Sequence, residues 1–471
     1  MTPPLLLLLS ISVLVLVKKN DLDLAHYWDE AFPYSYAIGH MSENGPGILT
    51  DTAPAVYTTG HPLLYYFLQS SWNNISNGHL WIERLFPMGI SISILFLTYA
   101  LGKHIHSKHA GGIAALLLAN QGAFLAQASF QLPETLLTFF LLLVIYFNLK
   151  KINWAFILAA IGLVFTKETG VVLLFLLFIH DALIKLKLGK FRKFIANSWI
   201  YALPVALNFL FYLHQFQVQG WFLFPRHTGF MLSDSAVIAD QFSRYFAHLF
   251  IYEGRNVLFF SMLLFSIVLS YNAWRLNKKI LFNSNSMLLM GIIFGFLMFS
   301  AFNFYSNRYI LCLFPLFSLL LSHTLLNMLS KKIKIACFIA LVLGAISLIK
   351  ALDNSKNTDH SLAYSDAVRA QMSAIKYCTN MNWQNRTIRC GFLMAKNLES
   401  HYPRYVNDEQ IFNHINKKGL QHEILIVSST EPKEAPSNWR SEYRSIKRFE
   451  SGNEWCEILT NPNSSTEQGN E

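Results

Sequence analysis

From its start to about Ala351 the chain alternates long apolar runs with short basic connectors, and this pattern points to a helix bundle in a bilayer. A hydrocarbon core offers no water to backbone N–H and C=O groups, so a run that enters it must satisfy them internally, as helix. A span takes about 20 apolar residues. About eleven runs meet that need: 3–17, 84–102, 111–129, 132–148, 152–166, 168–184, 198–214, 256–274, 286–303, 309–328 and 333–351. The first lacks a basic leading segment and a small-residue cleavage site, and Lys18 and Lys19 follow it, so it reads as a retained helix rather than a signal peptide.

The connectors fix an orientation. With the N-terminus in the cytoplasm, the inner loops hold Lys103 and Lys108; Lys150 and Lys151; Lys185, Lys187, Lys190, Arg192 and Lys193; Arg275, Lys278 and Lys279; and Lys331 and Lys332. None of these loops contains Asp or Glu. Five successive loops thus obey the rule that cytoplasmic loops are rich in Lys and Arg, with Lys18 and Lys19 as the one exception. The net charge of +10 sits largely in these loops, so it speaks for orientation and against a nucleic-acid partner. No zinc-finger spacing, glycine-rich phosphate loop or basic–aromatic repeat accompanies it.

The expected fold class is therefore an α-helical polytopic membrane protein. Residues 1–351 form the membrane domain, with 18–83 as a long first outer loop, and 352–471 form a small extracytoplasmic α/β domain. In the latter, 365–378 has helical spacing, 422–427 is a buried-strand run, and 443–459 suggests two more strands. The polar stretch 461–471 has the composition of a disordered tail. The C-terminal domain carries no catalytic motif; binding an acceptor, covering the site and capping the structure all stay open for it. Of five cysteines, Cys312 and Cys337 lie in apolar runs, and a bridge between two of Cys378, Cys390 and Cys456 is open.

Charged residues at membrane depth are expensive, which makes them functional candidates. Here they gather on the outer side. The first loop holds His26-Tyr27-Trp28-Asp29-Glu30, whose acids can act as general base and as metal or orienting group. The plain alternative is an aromatic belt with two solvated acids. Residues 32–41 have the spacing of an interfacial helix. A second such helix is expected with Pro62 at its first position, which would let His61 face an anion or simply cap the helix. Glu134 and the Lys167-Glu168 pair sit at the mouths of tight turns; Lys167 either neutralises one of these acids or serves a ligand. Arg226, His227 and Arg308 add cations on the same side, and arginine suits bidentate contact with phosphate.

Taken together, these residues resemble the polytopic GT-C glycosyltransferases, in the branch of protein O-mannosyltransferases and lipid A aminoarabinose transferases (families 39 and 83). Trp28-Asp29-Glu30 is similar to that family's acidic motif after the first span. His61-Pro62-Leu63-Leu64-Tyr65-Tyr66 is similar to its juxtamembrane segment. Ala110-Gly111-Gly112 through Glu134-Thr135-Leu136-Leu137 is similar to its third and fourth helices. Phe165-Thr166-Lys167-Glu168-Thr169-Gly170 and Arg308-Tyr309 are similar to two later motifs. The similarity covers about residues 20–330.

The resemblance implies transfer of a sugar from a polyprenyl-phosphate donor to a lipid, glycan or protein acceptor on the outer face. Asp29 would be the general base, and Glu30 would assist it or hold a divalent cation, the one cofactor implied. His61, Lys167 and Arg308 would contact the donor phosphate, and Glu134 would orient the acceptor or a cation. The chain departs from the family pattern at Glu134, where Asp is usual, at Gln131, where a basic residue is common, and at His61, a lysine in the aminoarabinose branch. The length favours a bacterial inner membrane, with membrane lipids as further partners. Secondary transport is the main competing reading; it normally puts charges near the midplane within inverted repeats, and no repeat is visible. A non-catalytic scaffold is the third.

Overall fold

A computed structural model of the chain describes residues 2–275, 284–329, 332–353, 358–416 and 422–462. The expected inner-loop residues Lys278, Lys279 and Lys331, and the tail beyond 462, lie outside the described residues. Some 69% of the chain is helical. Among the described residues six helices are long and apolar enough to cross a membrane: Leu80–Ile105, Pro133–Lys150, Thr169–Lys187, Arg255–Arg275, Ser284–Ala301 and Ile333–Leu352. Pro3–Lys18, Lys108–Ala119, Asn153–Thr166 and Leu313–Met328 are shorter apolar helices. Trp199–Gln219, of 21 residues, is long enough but less apolar than the six. These eleven occupy the eleven expected places.

One expected span differs. Residues 111–129 form two helices, Lys108–Ala119 and Gly122–Gln127, because the run carries Asn120 and Gln121 at its middle. Asn120 turns its Nδ2 back to the carbonyl of Leu116 at 2.7 Å, and Gln121 is extended. The helix ends otherwise follow local chemistry. Ser107 caps Lys108–Ala119 by accepting from the Ala110 N–H, and Pro133 opens its helix where a missing N–H costs nothing. Leu80–Ile105 and Lys108–Ala119 touch backbone to backbone. A Cβ on Gly102 would lie 2.6 Å from Gly111 Cα, so only glycine permits the approach.

Between the first two apolar helices, residues 18–83 hold the short helices Tyr34–Asn44 and Leu64–Ser76, with the single turn Ala55–Thr58 between them. Of the two longer ones, the second begins two residues later than Pro62. The His61 N–H is taken by Thr58 O at 3.1 Å in a turn that needs φ +71° at Gly60, and a Cβ there would strike the Trp221 ring.

The C-terminal region builds a four-stranded sheet in the order β1-β2-β4-β3 from β1 (Ile388–Cys390), β2 (Ile424–Ser428), β3 (Arg444–Ser451) and β4 (Glu454–Thr460). β1 runs parallel to β2, and β4 is antiparallel to β2 and β3. β2 is buried at every residue, which is why its sequence reads as an unbroken apolar run. The helix Tyr364–Asn380 packs on the sheet. All five cysteines are free thiols, so the bridge left open between two of Cys378, Cys390 and Cys456 is not formed.

This domain is clasped to residues 18–83. Tyr402 donates to Glu43 at 2.7 Å, Tyr36 to the carbonyl of Lys396 at 3.0 Å, and the His26 N–H to Pro403 O at 2.9 Å. Arg404 pairs with the buried Glu83, and Arg369 reaches Asp21 at 2.9 Å.

Candidate functional site

Trp28–Glu30 is a single 3-10 turn, and its first residue stands at φ +54°. A bulky residue in the left-handed region costs roughly 1–3 kcal/mol, so the surroundings must impose the conformation. What imposes it is Arg84. Its guanidinium donates Nη1 to Glu30 Oε1 at 3.0 Å and Nη2 to Glu30 Oε2 at 3.3 Å. It also reaches the carbonyls of Leu24, Ala25 and Ser129. Glu30 further accepts from the N–H groups of Tyr27 and Gln131 at 3.2 and 2.7 Å, and His26 Nδ1 lies 3.2 Å away.

Neither side chain of the Arg84–Glu30 pair is exposed at all. Burial alone would raise the Glu30 carboxyl, but Arg84 and His26 outweigh it and hold it at about 2. Glu30 was expected beside Asp29 in the chemistry or on a divalent cation. Its oxygens are instead committed to Arg84 and to backbone, a donor set that does not fit a metal ligand. Among the described residues no group of three or more His, Cys, Asp or Glu side chains is arranged to hold a metal ion. Glu30 is a tie that sets the turn, and the turn presents Asp29.

Asp29 points the other way and is 37% exposed. It pairs with Arg308 Nη2. Arg308 lies in the short 3-10 turn Asn307–Ile310 that precedes the helix Leu313–Met328, and is itself 4% exposed. Its Nε donates to Glu134 Oε1 at 3.3 Å and its Nη1 to Asp359 Oδ2 at 2.8 Å. Lys167 Nζ meets the same Glu134 oxygen at 2.8 Å and stands 4.0 Å over the Tyr309 ring. Burial opposes the charge on Arg308, but its three carboxylates hold the guanidinium firmly protonated. Glu134 Oε2 is buried with no hydrogen-bond partner. Three acids thus face two cations, and Asp29 is the member that water reaches.

A second cluster adjoins the first through the Lys167-Glu168 turn. His61 Nδ1 lies 2.7 Å from Glu168 Oε2, and the His61 ring sits between Tyr34, stacked at 6.3 Å, and His227 at 5.2 Å. Burial and then His61 pull the His227 imidazole down to about 4, so it is neutral near pH 7. His61 is therefore a partner of Glu168 in this structure, and Lys167 turns to Glu134 rather than to its own neighbour. Arg226 is exposed, with its guanidinium over the Phe230 ring at 5.9 Å, and it adjoins the second cluster only as the chain neighbour of His227.

The sequence reading missed two residues here. Arg84 marked the edge of a span that in fact begins at Leu80, which hid a fully buried charge. The signal was present, since Glu83-Arg84 is a charged pair at the lip of an apolar run. Asp359 carries no such signal, because it lies between the last apolar helix and the C-terminal domain, where acids are ordinary.

No family model matches the chain, and no curated protein matches it in sequence. Solved structures match it in fold. ArnT from Cupriavidus metallidurans bound to undecaprenyl phosphate aligns over 98% of this chain and 99% of its own, with a TM-score of 0.58 at 12% identity. Its apo state gives the same score over 96% and 97%. The archaeal oligosaccharyltransferase AglB from Archaeoglobus fulgidus, in complex with an inhibitory peptide and a dolichol-phosphate, aligns over 94% of this chain and 72% of its own, with a TM-score of 0.55 at 12% identity. The chain has the GT-C fold, a multi-pass helical membrane domain with a small C-terminal sheet.

Proposed function

We propose that this GT-C-fold chain is a membrane glycosyltransferase that moves a sugar from a polyprenyl-phosphate donor to an acceptor at the outer face of a bacterial inner membrane. The observation that carries the reading is the junction at Arg308, where a water-accessible carboxylate, Asp29, shares a guanidinium with buried acids beside Lys167. Among the aligned structures, one of ArnT is bound to undecaprenyl phosphate and that of AglB holds a dolichol-phosphate, which supports a lipid-phosphate ligand here.

A sugar-1-phosphate ester of a polyprenol carries one negative charge. It can take the place of Asp29 on Arg308 Nη2, one monoanion for another, and this frees Asp29 for the acceptor. Asp29 then accepts the proton of an acceptor hydroxyl or amine as that atom bonds to the anomeric carbon. The bond from that carbon to the phosphate oxygen breaks from the opposite side, with inversion, and its electron pair stays on the phosphate. Charge balances locally, because the leaving lipid phosphate gains a negative charge as Asp29 loses one. Lys167 and Arg308 face the group on which the charge grows, which is where fixed cations lower a barrier. Glu134 orients both cations, and Glu168 with His61 and His227 lines the adjoining wall. No step is routed through a metal ion.

The test is sugar transfer in membranes supplied with radiolabelled polyprenyl-phosphate sugars. Transfer by the wild type that disappears in an equally abundant Asp29→Asn protein supports the reading. Full transfer by that variant removes Asp29 as the base. No transfer of any sugar by either protein would move transport or a scaffold role ahead.

A further inference from the structure

We infer that Asp359 is a positioning residue for Arg308, and that Gln127 pins it for that task. The inference rests on the reading of Arg308 as a ligand of a lipid phosphate. A guanidinium is a rigid planar fork, so fixing two of its donor directions fixes the third. Here Nε is held by Glu134 and Nη1 by Asp359, both on largely buried carboxylates. The third direction, Nη2, is held by the one exposed acid. The two buried acids therefore aim the arm that a phosphate would take from Asp29.

Asp359 belongs to neither flanking helix. It sits between Ile333–Leu352 and Tyr364–Asn380, so something must hold it. Gln127 Nε2 donates to its backbone carbonyl, across 232 positions of sequence. Gln127 ends the short helix created by the break at Asn120 and Gln121, and it is fully buried. The carboxylate is also backed by His360, whose Nδ1 is 3.4 Å from Oδ1. Asn307, the residue before Arg308, lies 2.8 Å from His360 Nε2, and the buried His248 ring stands edge-on to His360 at 4.8 Å. Burial would lift the Asp359 carboxyl, but His360 and Arg308 hold it at about 2, so it is a charged partner at any ordinary pH.

The test uses the full chain in nanodiscs, with undecaprenyl phosphate and undecaprenol as probes. A hydrogen bond to a charged group is worth about 1.5–3 kcal/mol, so Asp359→Asn is expected to bind the phosphate lipid about tenfold or more weakly. Gln127→Leu, which keeps the carboxylate but unpins it, is expected to lose about threefold, and Asp359→Glu to stay within about threefold of the wild type. Undecaprenol binding should not change in any of them, which a general loss of structure would not allow. Wild-type affinity for the phosphate lipid in Asp359→Asn overturns the proposal, as does an equal loss for both lipids. Should Asp359→Asn not fold, wild-type affinity in Gln127→Leu overturns it. A wild type that prefers neither lipid fells the phosphate reading of Arg308 itself, and the inference with it.

Discussion

Asp29 and Glu30 leave the same 3-10 turn toward two different arginines, and the two pairs differ in almost everything else. The Arg84–Glu30 pair is shut away from water, each group bonded to backbone as well as to its partner. The Arg308–Asp29 pair has one partner at 37% exposure and draws on elements from four distant parts of the chain. An ion pair with every lone pair and proton engaged can only hold shape. One with an accessible member can exchange it. Under the proposed function, the contrast separates a charge kept for architecture from a charge kept for chemistry, one residue apart.

That contrast can be put at risk in four ways. The largest effect is expected of Asp29→Asn, where sugar transfer should fall about a thousandfold, the usual range for loss of a general base, at unchanged abundance. Next is Arg84→Met, which strands Glu30 in the interior and should cost about 3–5 kcal/mol of stability. It should show as lost folded protein in detergent, while the fraction that folds keeps far more transfer than Asp29→Asn. If these two phenotypes were exchanged, the division of labour proposed for the turn would be wrong. Lys167→Met leaves Glu134 still paired with Arg308, so a smaller loss of transfer, about ten- to a hundredfold, is expected with folding retained. Arg226→Gln, at an exposed side chain outside the Arg308 junction, should change transfer by less than about threefold.

Acid sharpens the same distinction. The Glu30 and Asp359 carboxyls are held at about 2, below their values of 4.5 and 3.8 in an open chain. Their stabilisation is therefore complete above those values and is lost as pH falls through about 2. His227 is depressed to about 4, so the unfolded chain takes up its proton first and stability declines as pH falls from about 6.5 toward 4. An unfolding midpoint measured across pH should be nearly flat from 7 to 8, sag gently toward 4 and collapse below that. A steep loss near neutrality would contradict the environment described for Glu30.

Much of the membrane domain was legible in the sequence because its physics is one-dimensional. Apolar length and loop charge can be counted along a line, and the helices at the eleven expected positions follow from that count. The break at Asn120 and Gln121 was passed over because two polar residues barely change the mean of an apolar run. Lys167, Glu134, Arg308 and Asp29 were found individually, since a charge at membrane depth is conspicuous. Their partners were not, because pairing is a three-dimensional fact. Nothing in the spacing tells Glu30 to choose Arg84 while its neighbour chooses Arg308. Asp359 was invisible for the opposite reason, as an acid in a polar stretch stands out from nothing.

The spread of the Arg308 junction along the chain also bears on how the protein is made. Asp29 appears early, yet Arg308 and Asp359 come about 280 and 330 residues later. At roughly 5–20 residues per second, the ribosome needs some tens of seconds to supply them. Until then the turn at Trp28 has Arg84 to shape it but no guanidinium for Asp29, and the contacts that finish the junction are long-range and so slow to form. A nascent or prematurely ended chain would carry an ordered scaffold and an idle carboxylate. The Arg308 junction is complete only when the last segment has folded back on the first.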